Sequence, residues 1–144
     1  MKNARFLVSL SFAASFALGC TGSTPTLTSP SSADLSALPG AWNLVSMRPA
    51  GEGEQVKPSG ASYTVTFGDG LLSTRVDCNS CGGAYTLDGQ TLVAGPSLAC
   101  TRAACATPAF ENAYTKLLAG ESTVSLSDGT LVLTSPRGVL RFMR

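Results

Sequence analysis

Cys78, Cys81, Cys100 and Cys105 crowd into one segment of a 144-residue chain. Four thiols so close are joined in pairs, hold a metal or exchange electrons, and each use dictates a different local fold. As two disulfides they admit three connectivities. A four-thiolate zinc site would use the C-x₂-C spacing of Cys78-Asn79-Ser80-Cys81, with a looser second pair at Cys100 and Cys105. A redox Cys-x-x-Cys wants a thiolate-stabilising helix N-terminus, whereas Gly82-Gly83 follows here. Compartment decides among the three, because thiols outside the cytoplasm tend to be oxidised. The chain has no His. That excludes Ser-His and Cys-His catalytic pairs, His-ligated metals and an imidazole pH switch. Ten basic against 9 acidic residues leave a net charge of +1, which gives no footprint for nucleic acid. Only 13% of residues are charged, against about 25% in an average domain. Gly, Pro and small polar residues take their place and favour turns and short strands.

The N-terminal segment sets the compartment. Lys2 and Arg5 precede an apolar run, Phe6 to Leu18, which falls short of the roughly 20 residues that span a bilayer. Residues 1–19 therefore read as a signal peptide that leaves the fold. The run ends in Ala17-Leu18-Gly19-Cys20, which resembles the bacterial lipobox, with Ala17 where that motif commonly has Leu. The resemblance implies cleavage before Cys20, lipidation of its thiol and acylation of the new N-terminus. Each buried CH₂ contributes about 0.8 kcal/mol, so several acyl chains make a stable membrane anchor. Thr21 follows Cys20, not the Asp that the lipoprotein sorting rule reads as inner-membrane retention. The expected location is the outer membrane, facing the periplasm. Without Lys2 and Arg5, the 10 basic residues become 8 against 9 acidic, a balance of −1. Residues 20–37 hold the lipidated Cys and a linker rich in Ser, Thr and Pro, too poor in apolar side chains to order itself.

Residues 38–144 form one domain that reads mainly as strands. Trp42 to Met47 opens it, apolar on both faces. Pro49 to Gly60 is a loop with a short edge strand at Gln55-Val56-Lys57. Tyr63, Val65 and Phe67 alternate with polar residues, a period of two. Gly68-Asp69-Gly70 turns this strand into Leu72, Thr74 and Val76. A second hairpin joins Tyr85-Thr86-Leu87 to Thr91-Leu92-Val93. A third joins Val124-Ser125-Leu126 to Leu131-Val132-Leu133, and Val139 to Phe142 is the last strand. One segment has another period: Phe110, Ala113, Tyr114, Leu117 and Leu118 make a helical stripe. Thr107 is its expected N-cap, Pro108 its first residue and Gly120 its stop. The fold class is mainly β within α+β: a small, strongly bent, barrel-like antiparallel sheet of hairpins with one short amphipathic helix. Closure would remove exposed edges.

Five stretches carry a more specific likeness: Leu38-Pro39-Gly40-Ala41-Trp42, Asp77-Cys78-Asn79, Gly83-Ala84-Tyr85, Thr101-Arg102-Ala103-Ala104-Cys105 and Leu131-Val132-Leu133. Together with the helix that starts at Pro108 they resemble the META domain family, also called HslJ-like, over nearly all of 38–144. The family motif supplies Cys78 and Cys105, while Cys81 and Cys100 are additional. Cysteines that arise together are expected to bond together, so the resemblance implies Cys78–Cys105 and Cys81–Cys100, nested. The rival is Cys78–Cys100, across a hairpin that turns at Asp88-Gly89.

No residue set stands out as catalytic, and no cofactor or metal is implied. Asp77 reads as a turn former bonding its own backbone, and Asn79 as satisfying local amides. Arg102 is expected to pair with Glu111, which sits near the helix N-terminus where its charge suits the dipole. Asn79, Arg102 and Glu111 are the candidate binding residues. Trp42, Tyr63 and Tyr85 read as core. The expected function is a lipid-anchored envelope protein with a non-enzymatic binding or stress-related module, meeting an envelope protein or small ligand. The other class is an extracytoplasmic thiol-redox or metal-binding protein using Cys78 and Cys81.

Overall fold

The computed structural model describes residues 35–60 and 62–144. The expected signal peptide, Cys20 and most of the expected linker lie outside them. The strands are β1 (Gly40–Pro49), β2 (Tyr63–Gly68), β3 (Leu71–Val76), β4 (Asn79–Asp88), β5 (Thr91–Ala94) and β6 (Ala99–Cys100). Helix α1 (Pro108–Leu118) follows, then β7 (Gly120–Ser127), β8 (Thr130–Ser135) and β9 (Gly138–Met143). Each strand pairs antiparallel with its neighbour in the order β1, β2, β3, β4, β5, β7, β8, β9, and β9 returns to β1. The result is a closed eight-stranded barrel. Strand β6 lies outside this circuit, against β4 at Cys81 and Gly82.

The alternation seen in the sequence becomes the inside and outside of the barrel. Val65, Phe67, Leu72, Val76, Leu92, Val124, Leu131, Leu133, Leu140 and Phe142 point inward and are buried. Ser73, Arg75, Thr66 and Arg141 on the alternate positions face solvent, as the strand period demands, while Thr74 shares the inward face and is buried. Two hairpins close on Asp-Gly. Asp69 and Gly70 have φ of 51° and 74°, and Asp128 and Gly129 have 48° and 70°. Positive φ at both central residues suits the right-handed twist of the flanking strands.

Helix α1 covers one end of the barrel. Tyr114, Leu117 and Leu118 are buried there, and the Tyr114 ring lies 5.4 Å from Tyr63 and 6.3 Å from Phe142. The opposite end is closed by the chain entering it. Leu35–Ala37 forms a single 3-10 turn, Leu38 is buried, and Trp42 Nε1 donates to the Leu38 carbonyl at 2.8 Å. Arg144 stacks over the Trp42 ring at 4.2 Å and donates to the carbonyls of Ala37 and Pro39. The last residues of the expected linker thus have structure of their own, because Leu35 packs on the core.

Three strands differ from their expected extents. β1 runs on to Pro49 through a bulge between Leu44 and Ser46, and the 55–57 edge strand shrinks to a single bridge, Met47 to Val56. β4 begins at Asn79 instead of Tyr85. Gly82 and Gly83 do not break it: a Cβ on Gly82 would lie 3.2 Å from the Leu72 carbonyl oxygen, and one on Gly83 would lie 3.2 Å from Leu98. Glycine there permits close approach. β7 starts at Gly120, directly after the helix. No helix among the described residues is long and apolar enough to cross a membrane.

Candidate functional site

The candidate residues converge where β3 turns into β4. Asp77 occupies this turn at φ 58°, and the turn delivers Asn79 inward at the start of β4, 3% exposed. Burial obliges the Asn79 amide to find partners. Its Oδ1 accepts from the Thr101 hydroxyl at 2.8 Å and from the Ala103 backbone N–H at 2.8 Å. Its Nδ2 donates to the Ala103 carbonyl at 3.1 Å and to both Glu111 carboxylate oxygens at 3.1 and 3.2 Å. It also approaches Cys105 Sγ at 3.0 Å. One side chain therefore holds the 101–105 segment and the first turn of α1 onto the barrel. Its partners are remote in sequence, not the local amides expected.

Asp77 departs from expectation in the same way. Its Oδ2 accepts from the backbone N–H and the hydroxyl of Thr107, at 2.8 and 2.7 Å. Thr107 does stand at the N-cap position with Pro108 first in the helix, but its side chain makes no capping bond. Because its one hydroxyl proton goes to Asp77, the Tyr63 hydroxyl donates to Thr107 Oγ1 at 2.7 Å. The Thr107 hydrogen bonds hold the Asp77 carboxyl below the usual carboxylate range. Desolvation pushes the Tyr63 phenol up, as it does more strongly for Tyr114, whose hydroxyl meets Thr74 Oγ1 at 2.9 Å.

Two disulfides lock the same segment. Cys78 bonds Cys105 with Cα atoms 5.5 Å apart, and Cys81 bonds Cys100 with Cα atoms 4.0 Å apart. The nested pattern is the one implied by the family resemblance. The rival Cys78–Cys100 link does not form, because β6 sets Cys100 directly opposite Cys81. Cys78 and Cys81 are not joined to each other, and among the described residues no group of three or more His, Cys, Asp or Glu is placed to hold a metal ion.

The expected Arg102–Glu111 ion pair is absent. Thr101 and Ala103 turn inward onto Asn79, so Arg102 between them turns outward. Arg102 is exposed and has no partner among the described residues. Glu111 lies in the first turn of α1, as expected, and takes the Asn79 amide instead. Arg102 and Glu111 nonetheless line one open cleft of about 860 Å³ between the 98–105 segment and α1. Thr101, Thr107 and Asp77 join Asn79 in fastening the segment; the sequence marked Thr107 as an N-cap and Asp77 as a turn former, and nothing in it paired the two.

A closed antiparallel barrel capped by one helix and stapled to a Cys-rich excursion defines a class of small β-barrel domain. The chain matches the META domain model over residues 33–144, and it belongs to that family. Two structures solved by NMR are similar. A protein from Burkholderia xenovorans is 29% identical with a TM-score of 0.60, covering 73% of this chain and 81% of that one. A second protein is 25% identical with a TM-score of 0.56, covering 72% and 87%. Among curated proteins none matches.

Proposed function

We propose that this META domain protein is a lipid-anchored component of the bacterial envelope, held through Cys20, and that its domain is a non-enzymatic binding module, with a stress-related role as one use of it. The observation that carries the binding reading is how the polar groups divide. Asp77, Thr107 and Tyr63 bond one another, and Asn79 bonds Thr101, Glu111 and the Ala103 backbone, which suits a fixed scaffold. The groups left facing the cleft, Arg102 among them, are exposed and open to a ligand. Among the described residues that line the cleft, the Thr101 hydroxyl donates to the Asn79 amide oxygen and the Thr115 hydroxyl to backbone carbonyls, none of them a base that would activate a nucleophile. The anchor rests on the lipobox-like Ala17-Leu18-Gly19-Cys20. The thiol-redox or metal reading has less support, since Cys78 and Cys81 are each bonded to the other run.

Metabolic labelling with an alkyne fatty acid tests the anchor. The wild-type chain should take the label and sediment with membranes, and Cys20→Ser should lose the label and appear in the soluble periplasmic fraction. Label retained by Cys20→Ser would overturn it. For the domain, cross-linking in envelope extract through a photoreactive group at Arg102 should capture a ligand that the same group at Arg141, on the barrel wall, does not.

A further inference from the structure

We propose that the cleft beside α1 takes an extended peptide carrying acidic side chains, whose backbone pairs with the outer edge of β6. This rests on the binding-module reading and names its ligand class. Two cavities, of about 860 and 400 Å³, share Leu98, Cys100 and Thr115, so they run together as one trough along the helix. Residues 96–105 form one wall and α1 the other. At about 1.5 Å per residue, α1 is roughly 16 Å long. An extended strand covers that distance with about five residues.

The β6 wall offers a template for such a strand. Ala99 pairs with Gly82, and the Thr101 N–H donates to the Ser80 carbonyl at 3.0 Å. Ala103 exchanges its N–H and carbonyl with Asn79. These alternate residues turn their backbone groups toward β4. The N–H and carbonyl groups of Cys100 and Arg102 therefore turn away from it and have no partner among the described residues. An unpaired strand edge is the site at which a peptide is added by backbone hydrogen bonding. The barrel itself closes on β9 and β1, and β6 lies outside that circuit.

Charge selects the peptide. Arg102, Lys116 and Arg137 line the trough, and none is paired with a carboxylate. Arg137 donates only to the backbone carbonyls of Lys116, Ala119 and Glu121. Glu111 is the single carboxylate in the lining, and both its oxygens already receive the Asn79 amide. Three cations without a carboxylate partner, of which Arg102 and Lys116 make no side-chain hydrogen bond among the described residues, against one anion favour an acidic ligand.

The test is NMR titration of the exported chain, isotope-labelled and carrying Cys20→Ser, with two capped peptides. Both are of the same alternating apolar composition, one with Asp and Glu between, the other with Lys. The acidic peptide should shift the Cys100 and Arg102 amides and those of α1, and the basic one should not. Arg102→Glu and Lys116→Gln should each weaken binding, Arg102→Glu by about tenfold, and Arg102→Glu should leave the melting temperature unchanged because its side chain is exposed and lies outside α1. N-methylation along the peptide should abolish binding at alternate positions only. Equal binding of the basic peptide, tolerance of N-methylation throughout, or no shift at millimolar peptide would overturn the proposal. Shifts of the same amides by an acidic oligosaccharide in place of either peptide would overturn it too, while leaving the binding-module reading standing.

Discussion

The Asn79 amide lies between the two carboxylate oxygens of Glu111 on α1 and the backbone of Ala103, fastening a helix and a loop to the first residue of β4. Removing it breaks the bonds to Glu111, Thr101 and the Ala103 backbone at once. Asn79→Ala should cost about 1 to 3 kcal/mol, because these part-buried bonds, one of them to a charged group, are lost together. Asn79→Asp should cost more, because it sets a second carboxylate against Glu111 and removes the donor. Urea unfolding of the two variants checks the order.

Both disulfides join β4 or its preceding turn to the 100–105 run. The bridged cysteines are 27 and 19 residues apart, so loop closure assigns each bond about 3 to 3.5 kcal/mol. Cys78→Ser/Cys105→Ser and Cys81→Ser/Cys100→Ser should each lower stability by that amount. Mass mapping of non-reduced peptides should recover the two nested pairs and no peptide holding Cys78 bonded to Cys81.

Asp77 gives the fold a dependence on acid. Thr107 bonds the ionised carboxylate in the folded state and holds its pKa below the ordinary value. The stabilisation is therefore complete above the ordinary Asp range, near pH 4, and is lost as pH falls through the lowered folded value. Asp77→Asn should be less stable than wild type at neutral pH. The gap should close under acid. Thermal melts across that range would contradict this if the gap stayed constant.

Gly138 opens β9 at φ 142°, a conformation that residues with a side chain rarely adopt. A Cβ there would collide with the Arg48 carbonyl oxygen and lie 2.9 Å from Leu117 Cδ2. Gly138→Ala should destabilise by about 3 kcal/mol or more, from backbone strain and overpacking together. The exposed turn residue Gly129 lacks such neighbours, and Gly129→Ala should cost less. Denaturation midpoints compare the two directly.

Much of the barrel was legible because its strands alternate cleanly. Val65 and Phe67, or Leu131 and Leu133, declare an inward face without help from any other residue. The helix was legible for the same reason, with its own period. The start of β4 was not, since Gly82-Gly83 looks like a break in any local reading and becomes strand only when Leu72 and Leu98 press against it. The site was legible in its members but not in its wiring. Asn79, Arg102 and Glu111 stood out, yet the partner of Glu111 was chosen by charge, and burial decided for Asn79 instead. Asp77 and Thr107 meet across 30 residues, a distance over which short-range turn chemistry carries no information.

The chain enters the barrel at Leu38, beneath Trp42 and Arg144, and α1 sits over the far end. Anything attached ahead of Leu35 would therefore join the body at the end away from α1. The trough lies beside α1, so immobilising the protein by its N-terminal side would leave the mouth unobstructed, and fixing it through α1 would not.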